Sequence, residues 1–232
     1  GTTTAFAAGE QAEVYLISFP RNGDTNLDYS GKWGHPEFQF MNGWFLGASN
    51  YTIIRALNSY DGNICYCIEP GTPQKTGDSY TSKDETFWDN LPSDFNNTIS
   101  PCDMKLFIGR IMQHGYTGPV STLWHSQNEE DASALAKALA TQVLIWETIV
   151  GERDGSFDHV LPQNCNAVKE YVGTENPLYE RFCDYYNSIE KSVKRHSTVP
   201  SFMAKTPGKA QNVELAWNGT NYTATLTDSN NV

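Results

Sequence analysis

Residues 139–146, with the sequence LATQVLIW, decide the interpretation of this chain because an apolar helical pattern there contains one primary amide. Spacings of four, three, four and three place five residues on one inward-facing helical stripe: Leu135, Leu139, Gln142, Trp146 and Ile149. A buried amide without partners costs on the order of 1–3 kcal/mol. Gln142 is therefore either satisfied by the backbone of a neighbouring strand or is itself a reactant.

Composition excludes several classes of partner. The chain has 232 residues, 39% of them hydrophobic, and a formal net charge of -11. This size suits one domain, or one domain in two lobes. The negative charge disfavours binding to nucleic acid or to an anionic lipid surface, and no apolar run approaches the roughly 20 residues of a membrane span. The N-terminus lacks the pattern of a signal peptide, so we expect a cytosolic protein or a fragment of a longer one.

Few Lys, many Asn, Thr, Gly and Tyr, and short polar turns favour the second alternative, a fragment of an exported protein. The cysteines are odd in number, so one thiol stays unpaired after two disulfides: Cys65, Cys67, Cys102, Cys165 and Cys183. An unpaired thiol in an oxidising compartment is a liability unless it has a chemical role. We therefore expect an extracellular protein in which one cysteine reacts.

Strand patterns flank a block of helical patterns. Alternation predicts strands over residues 12–19, 44–57 and 63–71. Ser100-Pro101 begins a predicted helix that Gly115 ends, a second runs from about residue 127 to Gly151, and a third follows Asn176-Pro177. Asn218-Gly219 predicts a hairpin. This order predicts an α+β fold, with a β-sandwich or barrel-like lobe (about 1–99 and 200–232) interrupted by a helical lobe (about 100–199).

A candidate nucleophile precedes the helices in the segment ICYCIEPG, residues 64–71. Strand alternation places Cys65 and Cys67 on one face. Attack of a thiolate on the Gln142 side-chain carbonyl would expel ammonia and leave a thioester. Buried proximity supplies effective molarities of roughly 10⁵–10⁸ M, and exclusion of water protects the acyl product.

Two motifs carry a resemblance to a known family. The segment YCIEPG (66–71), followed by TQVLIWE (141–147), resembles the paired motifs of thioester domains from Gram-positive surface adhesins, and IGRIMQHGYTGP (108–119) resembles their connection. The resemblance implies one thioester domain over residues 1–232, with its thioester at the interface of the two lobes. The last ~25 residues could instead open a following Ig-like domain.

The resemblance assigns roles residue by residue. Cys67 supplies the thioester sulfur and Gln142 the acyl carbon, since Tyr66 before Cys67 matches the family's aromatic residue whereas Ile64 before Cys65 does not. The residues expected to line the bond are Tyr66, Ile68, Thr141 and Trp146. The implied function is covalent adhesion, in which a host amine, most simply a lysine, attacks the Gln142 carbon and Cys67 leaves as a thiol.

The expected setting follows from the same resemblance. The domain would act once, without cofactor or metal and without being an enzyme. It would belong to a monomeric, multidomain protein anchored in the cell wall of a Gram-positive bacterium, and its partner would be a host surface or matrix protein. Glu69 and Glu147 flank the motifs and are possible assisting residues. Cys165 and Cys183 are a suggested disulfide.

Three histidines of the helical half, His114, His125 and His159, are candidate bases for an attacking amine, and the sequence assigns none. Two other classes of function stay open. The first is a cysteine hydrolase that uses Cys67 and a histidine. The second is a non-covalent binder that uses the aromatic-rich loop around Tyr80, Phe87 and Trp88.

Overall fold

The computed structural model describes residues 8–19, 52–69, 75–91, 98–120, 129–162, 167–172, 174, 178–196 and 213–227. Within these ranges it contains three α-helices and two antiparallel sheets. All three helices lie in the chain between the strands of the first sheet and those of the second. The mixture confirms the predicted α+β class, whereas closure into a sandwich or barrel stays a prediction.

The first sheet consists of β1 (Gln11–Phe19), β2 (Thr52–Leu57), β3 (Ile64–Cys65) and β4 (Asp78–Thr81). Its order is β3-β2-β1-β4, and every neighbouring pair is antiparallel. Apolar side chains from β2 and β3 enter the hydrophobic core that the helices share, among them Ile54, Ala56 and Ile64. The sheet therefore presents its β2–β3 side to the helices.

The third predicted strand is shorter than the sequence pattern indicated. We expected residues 63–71, but β3 pairs with β2 only at Ile64 and Cys65. Cys67 lies beyond the end of this strand. The physical reason is that its backbone N–H and carbonyl bond to the Gln142 side chain instead of to a strand. Residues 70–74, including Pro70, lie outside the described residues.

The first helix, α1 (Pro101–His114), confirms its predicted ends. The Ser100 hydroxyl accepts a hydrogen bond from the Asp103 N–H (3.1 Å), and Pro101 occupies the first turn, where no intrahelical donor is lost. At the other end, the Gly115 N–H donates to the Ile111 carbonyl (2.7 Å). Local sequence therefore fixes both ends of α1.

The second helix, α2 (Glu129–Val150), is the centre of the core. Every residue from Ala138 to Ile149 is buried, so the helix is covered on all sides. Ser133–Val150 has a mean hydropathy of 1.2, enough by length and composition for a membrane span, but 78% of this window is buried inside the protein. The helix ends as predicted at Gly151, whose φ of +85° suits glycine. The predicted start near residue 127 lies outside the described residues.

The third helix, α3 (Tyr179–His196), packs on α2 through an apolar stripe at helical spacing. Five residues of that stripe are buried: Leu178, Phe182, Tyr186, Ile189 and Val193. The predicted start at residues 176 and 177 lies outside the described residues.

A hairpin of β5 (Ala216–Trp217) and β6 (Tyr222–Thr223) forms the second sheet. Its turn contains Gly219 at a φ of +98°, which confirms the predicted Asn218-Gly219 hairpin. Residues 213–227 are all exposed. Their assignment to this domain or to a following one stays a prediction.

Candidate functional site

The Gln142 side chain spans the backbone of Cys67. The Cys67 N–H donates to Gln142 Oε1 (2.9 Å), and Gln142 Nε2 donates to the Cys67 carbonyl (2.8 Å). Gln142 is 9% exposed. We expected Gln142 to be either satisfied by a neighbouring backbone or a reactant. The backbone that satisfies its amide belongs to Cys67, the candidate nucleophile, so the two expectations are compatible.

The Cys67 N–H also has an electrostatic role that the sequence could not show. Donors aimed at the position that an oxyanion will occupy stabilise the negative charge that develops there during acyl transfer. At 2.9 Å from Gln142 Oε1, this N–H is positioned to polarise the carbonyl before any reaction. A backbone donor leaves no signal in a sequence, so the site was incomplete until the fold was known.

The Cys67 thiol contacts the carbonyl oxygen of Glu69 (Sγ to O, 3.4 Å). Glu69 thus meets the nucleophile through its main chain, and the residue itself is exposed. Cys67 and Ile68 are half-buried and pack against the core, while Trp146 is 2% exposed within it. The candidate bond consequently lies between a surface segment and the centre of the molecule.

A second thiol lies close to the same amide. Cys65 lines a cavity of about 10 Å³ together with Tyr66, Leu139 and Gln142. A cavity needs roughly 10–15 Å³ to hold one water molecule, so this space admits one water at most. Burial raises the pKa of Cys65 to about 11, which keeps it as an unreactive thiol at neutral pH.

The residues before the two candidate reactants meet at Tyr116. The Tyr66 hydroxyl donates to the Tyr116 carbonyl, and the Tyr116 N–H donates to Thr141 Oγ1 (3.1 Å). Burial holds the pKa of Tyr66 well above its usual range, so this hydroxyl stays a donor. Tyr116 was absent from our predicted site, although it lies in the segment 108–119 that resembled the family's connection.

Glu147, which the sequence suggested as a possible assisting residue, lies in a buried ion pair. Its carboxylate is fully buried and accepts hydrogen bonds from Arg153 Nε (3.0 Å) and Nη2 (2.7 Å). The Tyr186 hydroxyl donates to it as well (2.8 Å). Arg153 is bonded further to Glu190 and to the Phe157 carbonyl. Glu147 is thus the centre of a buried ion-pair network.

The described histidines bond to groups other than the Cys67 thiol. His114 Nε2 lies 2.8 Å from His196 Nδ1, and His159 Nε2 lies 3.2 Å from Glu152 Oε1. The pKa of His114 is lowered by burial, and by the neighbouring His196 and Lys137. His125 lies outside the described residues. Among the described residues, no histidine is hydrogen-bonded to the thiol that a cysteine hydrolase would use.

The remaining predicted features divide between core and surface. Phe87 and Trp88 are half-buried and meet edge to face with ring centroids 5.3 Å apart, whereas Tyr80 is 45% exposed. Cys183 is a free thiol among the described residues, and this does not test the suggested disulfide to Cys165. Cys165 itself lies outside the described residues, so its state stays a prediction.

The fold and the site define a class of protein, a domain in which the side-chain amide of a central-helix glutamine is hydrogen-bonded to the backbone of a cysteine just beyond a strand. The family model for the thioester domain matches residues 64–194, more than half of the chain, and the chain belongs to this family. The matched range includes both Cys67 and Gln142. No curated protein and no solved structure matches the chain. Family membership supports a thioester-bearing adhesion module.

Proposed function

We propose that this chain is a covalent adhesion module whose Cys67 and Gln142 close an internal thioester that an amine on a host protein opens. In closure, Cys67 Sγ bonds to the Gln142 side-chain carbon, the carbon–nitrogen bond breaks, and the nitrogen takes the thiol proton and leaves as ammonia. In capture, an amine nitrogen bonds to the same carbon, the carbon–sulfur bond breaks, and a proton passes from the amine to Cys67. Each domain reacts once, so it is not an enzyme.

One observation carries this proposal, the pair of hydrogen bonds between the Gln142 amide and the Cys67 backbone. Bonds of 2.9 and 2.8 Å fix both ends of the amide over one residue. The amide carbon, which lies between these two ends, is therefore held over the backbone of the residue that carries the thiol. Holding two groups in this way replaces a bimolecular encounter by a local one and lowers the barrier by about 7–11 kcal/mol in favourable cases.

Exclusion of water supports the same function. A thioester in water is lost by hydrolysis, so a domain that must wait for its partner has to keep the acyl carbon dry. Gln142 is 9% exposed, and the cavity beside it has a volume of about 10 Å³. Bulk water therefore has little room between α2 and the Gln142 amide. We expect an amine to approach from the opposite side, where Cys67 and Glu69 lie.

The direction of the reaction follows from the leaving groups. A thiol with a reference pKa near 8.5 leaves an acyl carbon more readily than an amine does, so capture by an amine is favourable once the thioester exists. A lysine, with a reference pKa near 10.4, must lose its proton first. The exposed Glu69 and the net charge of -11 favour the approach of a cationic lysine.

The proposed setting is the cell surface of a Gram-positive bacterium. The domain would be part of a longer protein anchored in the cell wall, and the partner a host surface or matrix protein that presents an amine. A covalent link suits this setting because an amide bond does not dissociate under flow. This placement rests on the family of the chain and on its composition.

Intact-mass spectrometry tests the proposal. Protein purified in amine-free buffer should be lighter than its sequence by one ammonia for the thioester, beyond any hydrogens lost to disulfides. Methylamine should restore mass and release one thiol. Cys67→Ala and Gln142→Ala should both lose the deficit.

Cys65→Ala is the matched control, because Cys65 is a second thiol beside the same glutamine. The deficit should survive this change. Loss of the deficit in Cys65→Ala but not in Cys67→Ala would reassign the sulfur. A wild-type mass equal to that of the sequence, in protein never exposed to amines, would refute the thioester altogether.

A further inference from the structure

We propose that Thr141 and Tyr66 are positioning residues, whose hydroxyl groups meet at the backbone of Tyr116 and hold Gln142 and Cys67 in the geometry required for thioester closure. Tyr66 precedes Cys67 in the chain and Thr141 precedes Gln142. The inference rests on the proposed thioester. It gives a role in positioning the two reactants to a third segment of the chain, residues 115–120, which we call the 115–120 loop.

The 115–120 loop is fixed to the segment that leads into Cys67. The Ile64 N–H donates to the Gly118 carbonyl (3.1 Å), and the Val120 N–H donates to the Gly62 carbonyl (2.9 Å). Asn63 and Pro119 form an isolated antiparallel bridge between these two bonds. The loop thus lies alongside β3 and moves with it.

The same loop is fixed to α2 through Thr141. The Thr141 hydroxyl donates to the Lys137 carbonyl one turn earlier (2.7 Å), so its oxygen is free to accept the Tyr116 N–H (3.1 Å). The approach is close at Gly115, where a Cβ atom would stand 2.5 Å from Thr141 Cγ2 and 2.7 Å from the Ile111 carbonyl. Only glycine fits there. The contact between Gly115 and Thr141 therefore fixes the position of the loop along the axis of α2.

Tyr66 completes the connection. Its hydroxyl donates to the Tyr116 carbonyl, and the N–H of the same Tyr116 donates to Thr141 Oγ1. The Tyr116 hydroxyl in turn donates to the Pro119 carbonyl (2.7 Å), which stiffens the loop. The hydroxyl groups of Tyr66 and Thr141, which adjoin Cys67 and Gln142 in the chain, thereby bond to the backbone of the same residue, Tyr116.

The consequence concerns registry between β3 and α2. The two bonds between Gln142 and Cys67 form only if the strand end and the helix keep their relative position. A misplacement of about 1 Å can slow a positioned reaction by roughly 100-fold. Removing either hydroxyl should therefore slow closure by at least about tenfold, even in protein that is folded.

Thr141→Val, which keeps the shape and removes the hydroxyl, tests the inference against Thr141→Ser, which keeps the hydroxyl. Each chain is diluted from denaturant into amine-free buffer. The fraction lighter by one ammonia is then followed over time and normalised to the folded fraction measured by circular dichroism. We expect Thr141→Val to close at least tenfold more slowly than wild type, and Thr141→Ser to restore most of the rate.

Thr148→Val is the matched control, because the buried Thr148 hydroxyl makes the same bond to the carbonyl one turn earlier (Leu144, 2.8 Å) and, unlike Thr141, accepts no hydrogen bond from Tyr116. A merely structural role would lower the Tm of both valine variants and leave both closure rates unchanged, which would overturn the inference. If Thr141→Val does not fold, Tyr66→Phe decides in the same assay. A wild type that never loses ammonia would refute the proposed function itself, whereas normal closure in Thr141→Val refutes only the positioning role.

Discussion

Replacing Glu147 by glutamine separates the buried network from the reactive site. The substitution keeps the volume of the side chain and removes its charge. Glu147 and Arg153 are both 0% exposed at their side chains. Two of the hydrogen bonds from Arg153, at 3.0 and 2.7 Å, end on one carboxylate oxygen of Glu147. The variant therefore leaves the Arg153 guanidinium without its fully buried counter-charge.

The expected loss is about 3 kcal/mol in the free energy of unfolding. Removing one partner of a buried ion pair costs about 3–5 kcal/mol. The lower end applies here because Glu190, whose side chain is 24% exposed, still pairs with Arg153. For a chain of this length, 1 kcal/mol shifts the Tm by about 2–4 °C. The Tm should therefore fall by about 6–12 °C.

Thermal unfolding followed by circular dichroism measures this shift, and intact mass measures the thioester in the same samples. Lys194→Ala is the control, since the Lys194–Asp158 pair (2.7 Å) has side chains 38% and 59% exposed and surface pairs contribute about 0–1 kcal/mol. We expect Glu147→Gln to keep its ammonia deficit at a lowered Tm. An unchanged Tm together with loss of the deficit would refute the structural role and return Glu147 to the reactive site.

Two further outcomes are expected from burial and charge. The pKa of His114 is lowered in the folded state. Its contribution to stability is therefore present above the reference pKa near 6.5 and is lost as the pH falls through the folded pKa. His114→Gln should flatten the decrease in Tm between neutral and mildly acidic pH, and a decrease as steep as that of wild type would contradict this. Phe182→Ala removes a fully buried ring and should lower the free energy of unfolding by about 3–5 kcal/mol. Trp217→Ala, in the β5–β6 hairpin at a residue 58% exposed, should change it by about 0.5 kcal/mol or less. Chemical denaturation measures both changes, and similar losses in the two variants would show that the hairpin is packed.

Some features of this protein follow from the sequence because their causes are local. Ser100 and Gly115 delimit α1 through bonds that reach only three or four residues. The stripe on α3 is buried where the helical period places it. The motifs around Cys67 and Gln142 indicated the thioester family, which the match over residues 64–194 confirms.

Other features depend on contacts between distant parts of the chain. Glu147 looked like a site residue because it adjoins the motif, yet its partners Arg153 and Tyr186 come from outside that motif. The strand through Cys67 was predicted too long because alternation cannot show that a helix side chain, 75 residues away, takes over its backbone bonds.

Periodicity in the sequence predicts which residues are buried on folding, and for Gln142 this prediction was correct. It does not state which buried group each one meets, because that depends on how the 115–120 loop, α2 and β3 pack together. Hydrogen bonds have strict limits of distance and angle, so only the tertiary structure decided that the Gln142 amide would lie across Cys67.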